Sequence, residues 1–195
     1  MKFLDFIDEN LSKKEKHAVL SFGRLNPITK GHEKLVNKAK QIARQVGGTH
    51  HIVLSHSQDK NKNPLSAADK LKHAKRAFPN TNLSTSDKQN PNYLQQAAKL
   101  HKTGVTHLHV VAGSDRVPEF SKTLKTYNGT HSKALYNFRN IKVHSSGERD
   151  PDSPSVTGMS GTKMRGHAAA GNYKAFKSGA PSRMTDFHVK HMYLD

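Results

Sequence analysis

Ala18-Val19-Leu20-Ser21-Phe22, then Gly23-Arg24-Leu25-Asn26-Pro27-Ile28-Thr29-Lys30-Gly31-His32, then a run in which Leu35, Val36, Ala39, Ile42, Ala43 and Val46 recur: this stretch decides the fold. The first five residues form a short, mostly apolar run. The next ten are rich in Gly, Asn and Pro and read as a turn. The final set repeats at the spacing of one helical face and is closed by Gly47-Gly48. The order is strand, loop, helix. Outward from there the alternation continues, with strands expected at 52–55, 83–86 (a short edge strand), 107–112 and 141–144. Helices are expected at 67 onward, where Ser66 and Asp69 have capping-box spacing, at 93–102 ending before Gly104, and at 118–127. Strands separated by helical segments of this length imply right-handed crossovers. The predicted class is α/β, a doubly wound parallel sheet in one domain. Ligands of such sheets sit beyond the carboxyl ends of the strands, so the segments after Phe22, Ser55, Ala112 and Ser145 are expected to converge.

The chain has 195 residues, 32 Lys+Arg against 15 Asp+Glu, 14 His and no Cys. A formal charge of +17 points to phosphates, nucleic acid or acidic surfaces as partners. Without cysteine there are no disulfides, thiolate nucleophiles, cysteine-ligated zinc sites or iron–sulfur clusters. No segment approaches the ~20 apolar residues that span a bilayer. Residues 1–16 read as a short amphipathic helix (Leu4, Ile7, Leu11) and a basic tether (Lys13, Lys14, Lys16), without the features of a secretory signal. The expected location is cytoplasmic. The domain proper is taken as 17–170, the stretch 147–158 as a mobile loop, and 171–195 as a helical tail. In that tail Met184, Phe187, His188, His191 and Met192 suggest an apolar stripe packed on the domain or on another subunit.

Two segments carry the chemistry. In the first, Gly23 allows a tight turn and Gly31 lets a phosphate approach the first turn of a helix, where unpaired N–H groups point outward. His32 lies in that turn, where the helix dipole favours an anion and a neutral imidazole that donates to it. The segment lacks the GK[ST] of a phosphate-binding P-loop and is not GxGxxG. In the second, Met159-Ser160-Gly161-Thr162-Lys163-Met164-Arg165, Ser160 can cap a helix, Thr162 adds a hydroxyl and Arg165 supplies a planar cation. Between them Gly113-Ser114-Asp115-Arg116 follows the best strand of the sequence.

Taken together, the segments resemble the signatures of the HIGH-motif nucleotidylyltransferase superfamily. Thr29-Lys30-Gly31-His32 fills the HIGH position, with Thr for the first His. The later segment is similar to ISxTxxR, and Gly113 and Asp115 match a GxD element. The resemblance covers about residues 18–170. It implies a Rossmann-like nucleotidylyltransferase fold and attack by an acceptor phosphate on the α-phosphorus of a nucleoside triphosphate, with release of pyrophosphate. His32 and Thr29 would contact the triphosphate, Arg165, Ser160 and Thr162 its β- and γ-phosphates, and Arg24 or Lys30 either anion. Gly23, Asn26, Gly31, Gly113 and Asp115 would shape the nucleotide site. Mg²⁺ would arrive with the triphosphate, so no protein metal ligand is expected.

The loop holding Lys60, Lys62, Asn63 and Pro64 is similar to a basic loop that covers phosphates in relatives. It reads equally as a solvated lysine loop, and Arg116 has the same two readings. GRxNP and the SGT of the late motif look most like archaeal-type and NadR-like nicotinamide mononucleotide adenylyltransferases, which implies ATP plus nicotinamide mononucleotide giving NAD. Relatives stack the pyridine ring on an aromatic residue, often Trp. With no Trp here, Phe120, Tyr127, Tyr136 or Phe138 would serve. Phosphopantetheine, or glycerol phosphate with CTP, are alternative acceptors. His50-His51 and His107/His109 lie on or beside strands without a carboxylate partner and read as surface or packed histidines. The leader resembles those of phage proteins packaged into virions. The excess charge in Lys34, Lys38, Lys40, Lys70, Lys72 and the tail leaves a second reading open: a catalytically inactive basic scaffold that binds nucleic acid.

Overall fold

A computed structural model describes residues 14–60, 62–147 and 160–195, so the leader helix expected around Leu4, Ile7 and Leu11 and nearly all of the 147–158 loop lie outside the described residues. The chain alternates as read: β1 (His17–Gly23), α1 (Lys30–Gln45), β2 (Thr49–Leu54), α2 (Ala67–Ala77), β3 (Leu83–Thr85), α3 (Tyr93–Lys102) and β4 (His107–Ala112). A 3₁₀ turn (Ser114–Arg116) then leads into α4 (Val117–Thr126), β5 (Asn140–Ser145), α5 (Gly161–Ala169), α6 (Tyr173–Gly179) and α7 (Asp186–Leu194). All strand pairs are parallel, in the order β3-β2-β1-β4-β5. The chain moves outward from β1 to one side and then restarts beside it at β4. The crevice between the ends of β1 and β4 is therefore the switch point at which ligands of such sheets sit.

Two cores sandwich the sheet. Val19, Ile52, Leu54 and Val111 face Val36, Ala39, Ile42 and Ala43 of α1, together with Ala74 and Ala77 of α2. Leu20, Leu108, Val110 and Ala112 face Ala97 and Leu100 of α3 and Phe120 and Leu124 of α4. The β-branched and leucine-rich strands are buried on both faces, as a covered parallel sheet requires. Residues after 171 form α6 and α7, whose Phe176, Val189 and Met192 join the first core. The stripe expected there needs correcting: Met184 and Met192 are buried, but Phe187 is 63% exposed and Val189 takes the inward position. Phe187 instead meets His188 and His191 edge-on at the surface.

Helix starts follow local chemistry. Ser66 accepts the Asp69 backbone N–H (3.1 Å) and donates its hydroxyl to the Asp69 carboxylate (2.5 Å). Asn92, Asn172 and Thr185 cap α3, α6 and α7 through their own side-chain oxygens. Lys70, counted from sequence as surface charge, is instead fully buried. It falls with His73, Ala74 and Ala77 on the inward face of α2, at helical spacing. Among the described residues no helix is long and apolar enough to cross a membrane.

Candidate active site

Beyond the carboxyl ends of β1 and β4 lies a cavity of about 260 Å³. Its walls come from the turn after β1, the first turn of α1, the loop after β2, the ends of β4 and β5, and the first turn of α5. The four strand-end segments expected to converge do so.

Thr29 is the N-cap of α1 and forms a reciprocal box with His32. The Thr29 backbone N–H donates to His32 Nδ1 (3.0 Å), while Thr29 Oγ1 accepts from the His32 backbone N–H (3.4 Å). Because Nδ1 is held as an acceptor, the proton of the neutral ring sits on Nε2. Glutamate or glutamine is the usual reciprocal partner in such a box. Histidine performs the same task here, from a residue that lines the cavity.

Ser160 caps α5 by accepting from the Lys163 N–H at 3.2 Å. Arg165, one turn on, donates from Nη1 to the Asn26 carbonyl (2.6 Å) and from Nη2 to Thr162 Oγ1 (3.2 Å). Gly161 permits this docking, since a Cβ there would stand 2.8 Å from the Asn26 carbonyl oxygen. Two helix N-termini, from segments more than 120 residues apart, thus open on one cavity. Their dipoles add to the charges of Arg24, Lys34, Lys62, Arg116 and Arg165, all of which line it. Burial, and next the neighbouring Arg24, push the Arg165 guanidinium below its usual range, with Asp59 opposing.

Behind the cavity Lys70 acts as a hub. Its Nζ donates to the carbonyls of Ser55 (2.6 Å) and Ser57 (2.9 Å) and to Asn63 Oδ1 (3.3 Å). Asn63 in turn bonds the Asn26 amide and the Ser57 carbonyl. The loop after β2 is thereby tied to the turn after β1. Burial, with Arg24 next, lowers the Lys70 ammonium from 10.5 to about 8.

The structure brings Gly23, Arg24, Asn26, Thr29, Gly31, His32, Lys62, Gly113, Arg116, Ser160, Thr162 and Arg165 to this one cavity. It leaves Lys30, Lys60 and Asp115 out of the lining. In a helix each side chain leans toward the N-terminus, so Lys34 reaches back over the helix mouth while Lys30 leans past it. Backbone bonds between Asp59 and Asn63 fold the next loop so that Lys62 lines the cavity and Lys60 stays in solvent. Asp115 is exposed on the 3₁₀ turn. Of the four candidate aromatics only Phe120 lines the cavity, stacked on Tyr93 (4.2 Å) with the Arg116 guanidinium 6.0 Å from its ring centre. Tyr136 and Phe138 are core residues, and the Tyr136 hydroxyl is bound to the Leu124 carbonyl.

Sequence reasoning missed Lys34 as a lining residue and the Lys70–Asn63 hub. The signal for the hub was present in the 70, 73, 74, 77 spacing, which places a lysine on an otherwise buried stripe. The strand histidines also need correcting. Glu15 stands 3.2 Å from His17 Nε2 and 3.6 Å from His107 Nε2, so a carboxylate partner exists.

Among the described residues no Asp or Glu lines the cavity. The donors among those described residues are not the carboxylates that a resident Mg²⁺ prefers. They suit an anion that brings its own cation.

A doubly wound sheet with two helix N-termini and a ring of cations at its switch point defines a phosphate-handling α/β protein. Residues 20–167 match the family model described as cytidylyltransferase-like, and the chain belongs to that family. Membership supports nucleotidylyltransferase activity in general, on nucleoside triphosphate and phosphate-bearing substrates. No curated protein matches the chain.

Proposed function

We propose that this protein transfers a nucleotidyl group, AMP from ATP, to a phosphate-bearing acceptor, nicotinamide mononucleotide, giving NAD and pyrophosphate. The observation that carries this reading is the convergence of His32, Arg165 and two capped helix N-termini on one cavity, with no carboxylate among the described residues of its lining. Catalysis of this kind needs alignment and charge stabilisation rather than a covalent intermediate. The acceptor phosphate attacks the α-phosphorus in line, a P–O bond forms, and the bond to the leaving pyrophosphate breaks. His32 Nε2–H donates to a triphosphate oxygen without changing protonation state. Arg165 and Thr162 hold the departing phosphates, and Arg24, Lys34 and Lys62 receive the remaining charge. Mg²⁺ enters on the triphosphate. Phe120, braced by Tyr93, offers an aromatic surface to a base or pyridine ring.

The test is pyrophosphate release from ATP or CTP across a panel of nicotinamide mononucleotide, phosphopantetheine and glycerol phosphate. Turnover with nicotinamide mononucleotide and ATP, falling by ~100-fold or more in His32→Ala and Arg165→Ala, supports the reading. Turnover with another pair reassigns the acceptor. Silence across the panel with salt-sensitive DNA binding favours the second reading, a basic, virion-packaged or nucleic-acid-binding scaffold. The observation behind that reading is the +17 charge, much of it outside the cavity.

A further inference from the structure

We propose that Glu15, His17 and His107 bind one divalent transition-metal ion of the zinc class at the amino-terminal ends of β1 and β4. One ligand atom from each residue lies within 4.8 Å of the others. The two imidazoles face different oxygens of the same carboxylate, His17 Nε2 at 3.2 Å from Oε2 and His107 Nε2 at 3.6 Å from Oε1. Ligands around a tetrahedral zinc at ~2.0–2.2 Å stand about 3.3 Å from one another. Rotation of Glu15, whose side chain is 62% exposed, closes the remaining difference.

The imidazoles are carried by rigid elements. His17 and His107 are register partners in adjacent parallel strands, with rings stacked at 4.6 Å. Lys16 pins the approach to β1: its backbone N–H donates to Thr106 Oγ1, and its carbonyl accepts from Thr106 and His107. Gly48 lets the start of β2 close over this corner, since a Cβ there would meet the His17 carbonyl oxygen at 2.5 Å.

The ring nitrogens beyond the ligand set are also organised. His17 Nδ1 bonds His109 Nε2 (3.1 Å), and His109 Nδ1 bonds His144 Nε2 (3.0 Å). A metal-ligating histidine commonly donates its second N–H to an acceptor that fixes its tautomer. With the His17 Nδ1–H given to His109, the Nε2 lone pair faces the Glu15 carboxylate, acceptor against acceptor, and a cation between them resolves the conflict. Without the ion the protons run the other way along the chain, and His17 Nε2–H donates to Glu15. Binding therefore selects one polarity of a four-residue hydrogen-bonded row.

Two imidazoles and a carboxylate suit Zn²⁺, Co²⁺ or Ni²⁺ and not Mg²⁺. The C-terminus of α3 arrives at the same edge and favours positive charge, its Thr103 carbonyl already taking Lys16 Nζ at 2.6 Å. Arg139 beside Glu15 and Lys142 beside His109 oppose a further cation, so affinity rests on direct ligation. The first β1 residue to line the phosphate-facing cavity, Ser21, stands four residues along the strand from His17, roughly 13 Å. The ion is a staple joining the segment that enters β1 to the first residue of β4.

The test is Co²⁺ titration of the full chain, read by visible absorption and reversed by Zn²⁺. Expected are one equivalent bound, at least ~10-fold weaker binding in Glu15→Gln, and loss in His107→Asn. A His50→Gln/His51→Gln variant, altering the neighbouring strand's histidines, should bind as the wild type does. Millimolar Mg²⁺ should not compete. Zn²⁺ should raise the melting temperature of the wild type and not that of Glu15→Gln, whose metal-free melting should be unchanged because Glu15 is exposed. Equal Co²⁺ affinity in wild type, Glu15→Gln and His107→Asn, or loss in the His50/His51 variant instead, would overturn the proposal.

Discussion

At the carboxyl edge of the sheet, Arg24, Lys34, Lys62, Arg116 and Arg165 surround a cavity with no carboxylate among the described residues of its lining, whereas at the amino edge one carboxylate sits between two imidazoles. Both ends belong to the same strands. The difference follows from parallel connectivity: every crossover helix turns its N-terminus toward the carboxyl ends of the strands and its C-terminus toward their starts. Such a sheet is polar along its strands, favouring anions at one end and cations at the other. The side chains of this protein reinforce the polarity that the backbone sets.

The largest expected effect breaks the carboxyl end alone. Arg165→Ala should lower nucleotidyl transfer by ~100-fold or more while Co²⁺ binding at the amino end stays unchanged, since among the described residues Arg165 hydrogen-bonds the turn after β1 and its own helix, at the opposite edge of the sheet. Coupled losses at both ends would mean a general collapse and would sink the two-ended account. Gly161→Ala tests how the second helix is seated. A Cβ 2.8 Å from the Asn26 carbonyl must push α5 outward. Urea denaturation should report a loss of ~1–3 kcal/mol, with the ATP-induced rise in melting temperature abolished.

Lys70 gives a pH signature belonging to the carboxyl end. Its folded value of about 8 lies below the 10.5 of the unfolded chain. Between those values the unfolded chain binds more protons, so stability should rise as pH increases from about 8 toward 10.5 and stay flat with respect to this group below 8. Lys70→Met should lack that rise in denaturation curves; an identical rise would show that another group titrates. The smallest effect is expected at Arg116, half exposed and shared between Glu119 (3.1 Å) and the Phe120 ring. Arg116→Gln should change turnover by less than ~5-fold, within the roughly 1 kcal/mol typical of an exposed pair.

The sheet was legible because its signals are local. The apolar runs at 18–22 and 107–112, the caps at Ser66 and Ser160, and the glycines that close α1 and α3 (Gly47, Gly104) all act within a few residues. The candidate site was legible to the extent that it sits at strand ends and helix starts. What escaped depends on direction or on distance along the chain. Lys34 lines the cavity and Lys30 does not because of side-chain lean, which no composition reveals. Tyr136 and Phe138 match Phe120 in type, yet strand and turn geometry send them into the core. Glu15 meets His107 across 92 residues, and only the parallel register of β1 and β4 brings them together.

Glu33 is the one acidic residue in the first turn of α1, immediately after His32, where its charge could occupy the same N–H groups that an incoming phosphate needs. It does not line the cavity, for its two oxygens accept from the Ser182 hydroxyl (2.5 Å) and backbone N–H (3.1 Å). The segment between α6 and α7 thus works as a competitor's leash. By keeping an internal carboxylate engaged with Ser182, it leaves those N–H groups to an anion that comes from outside.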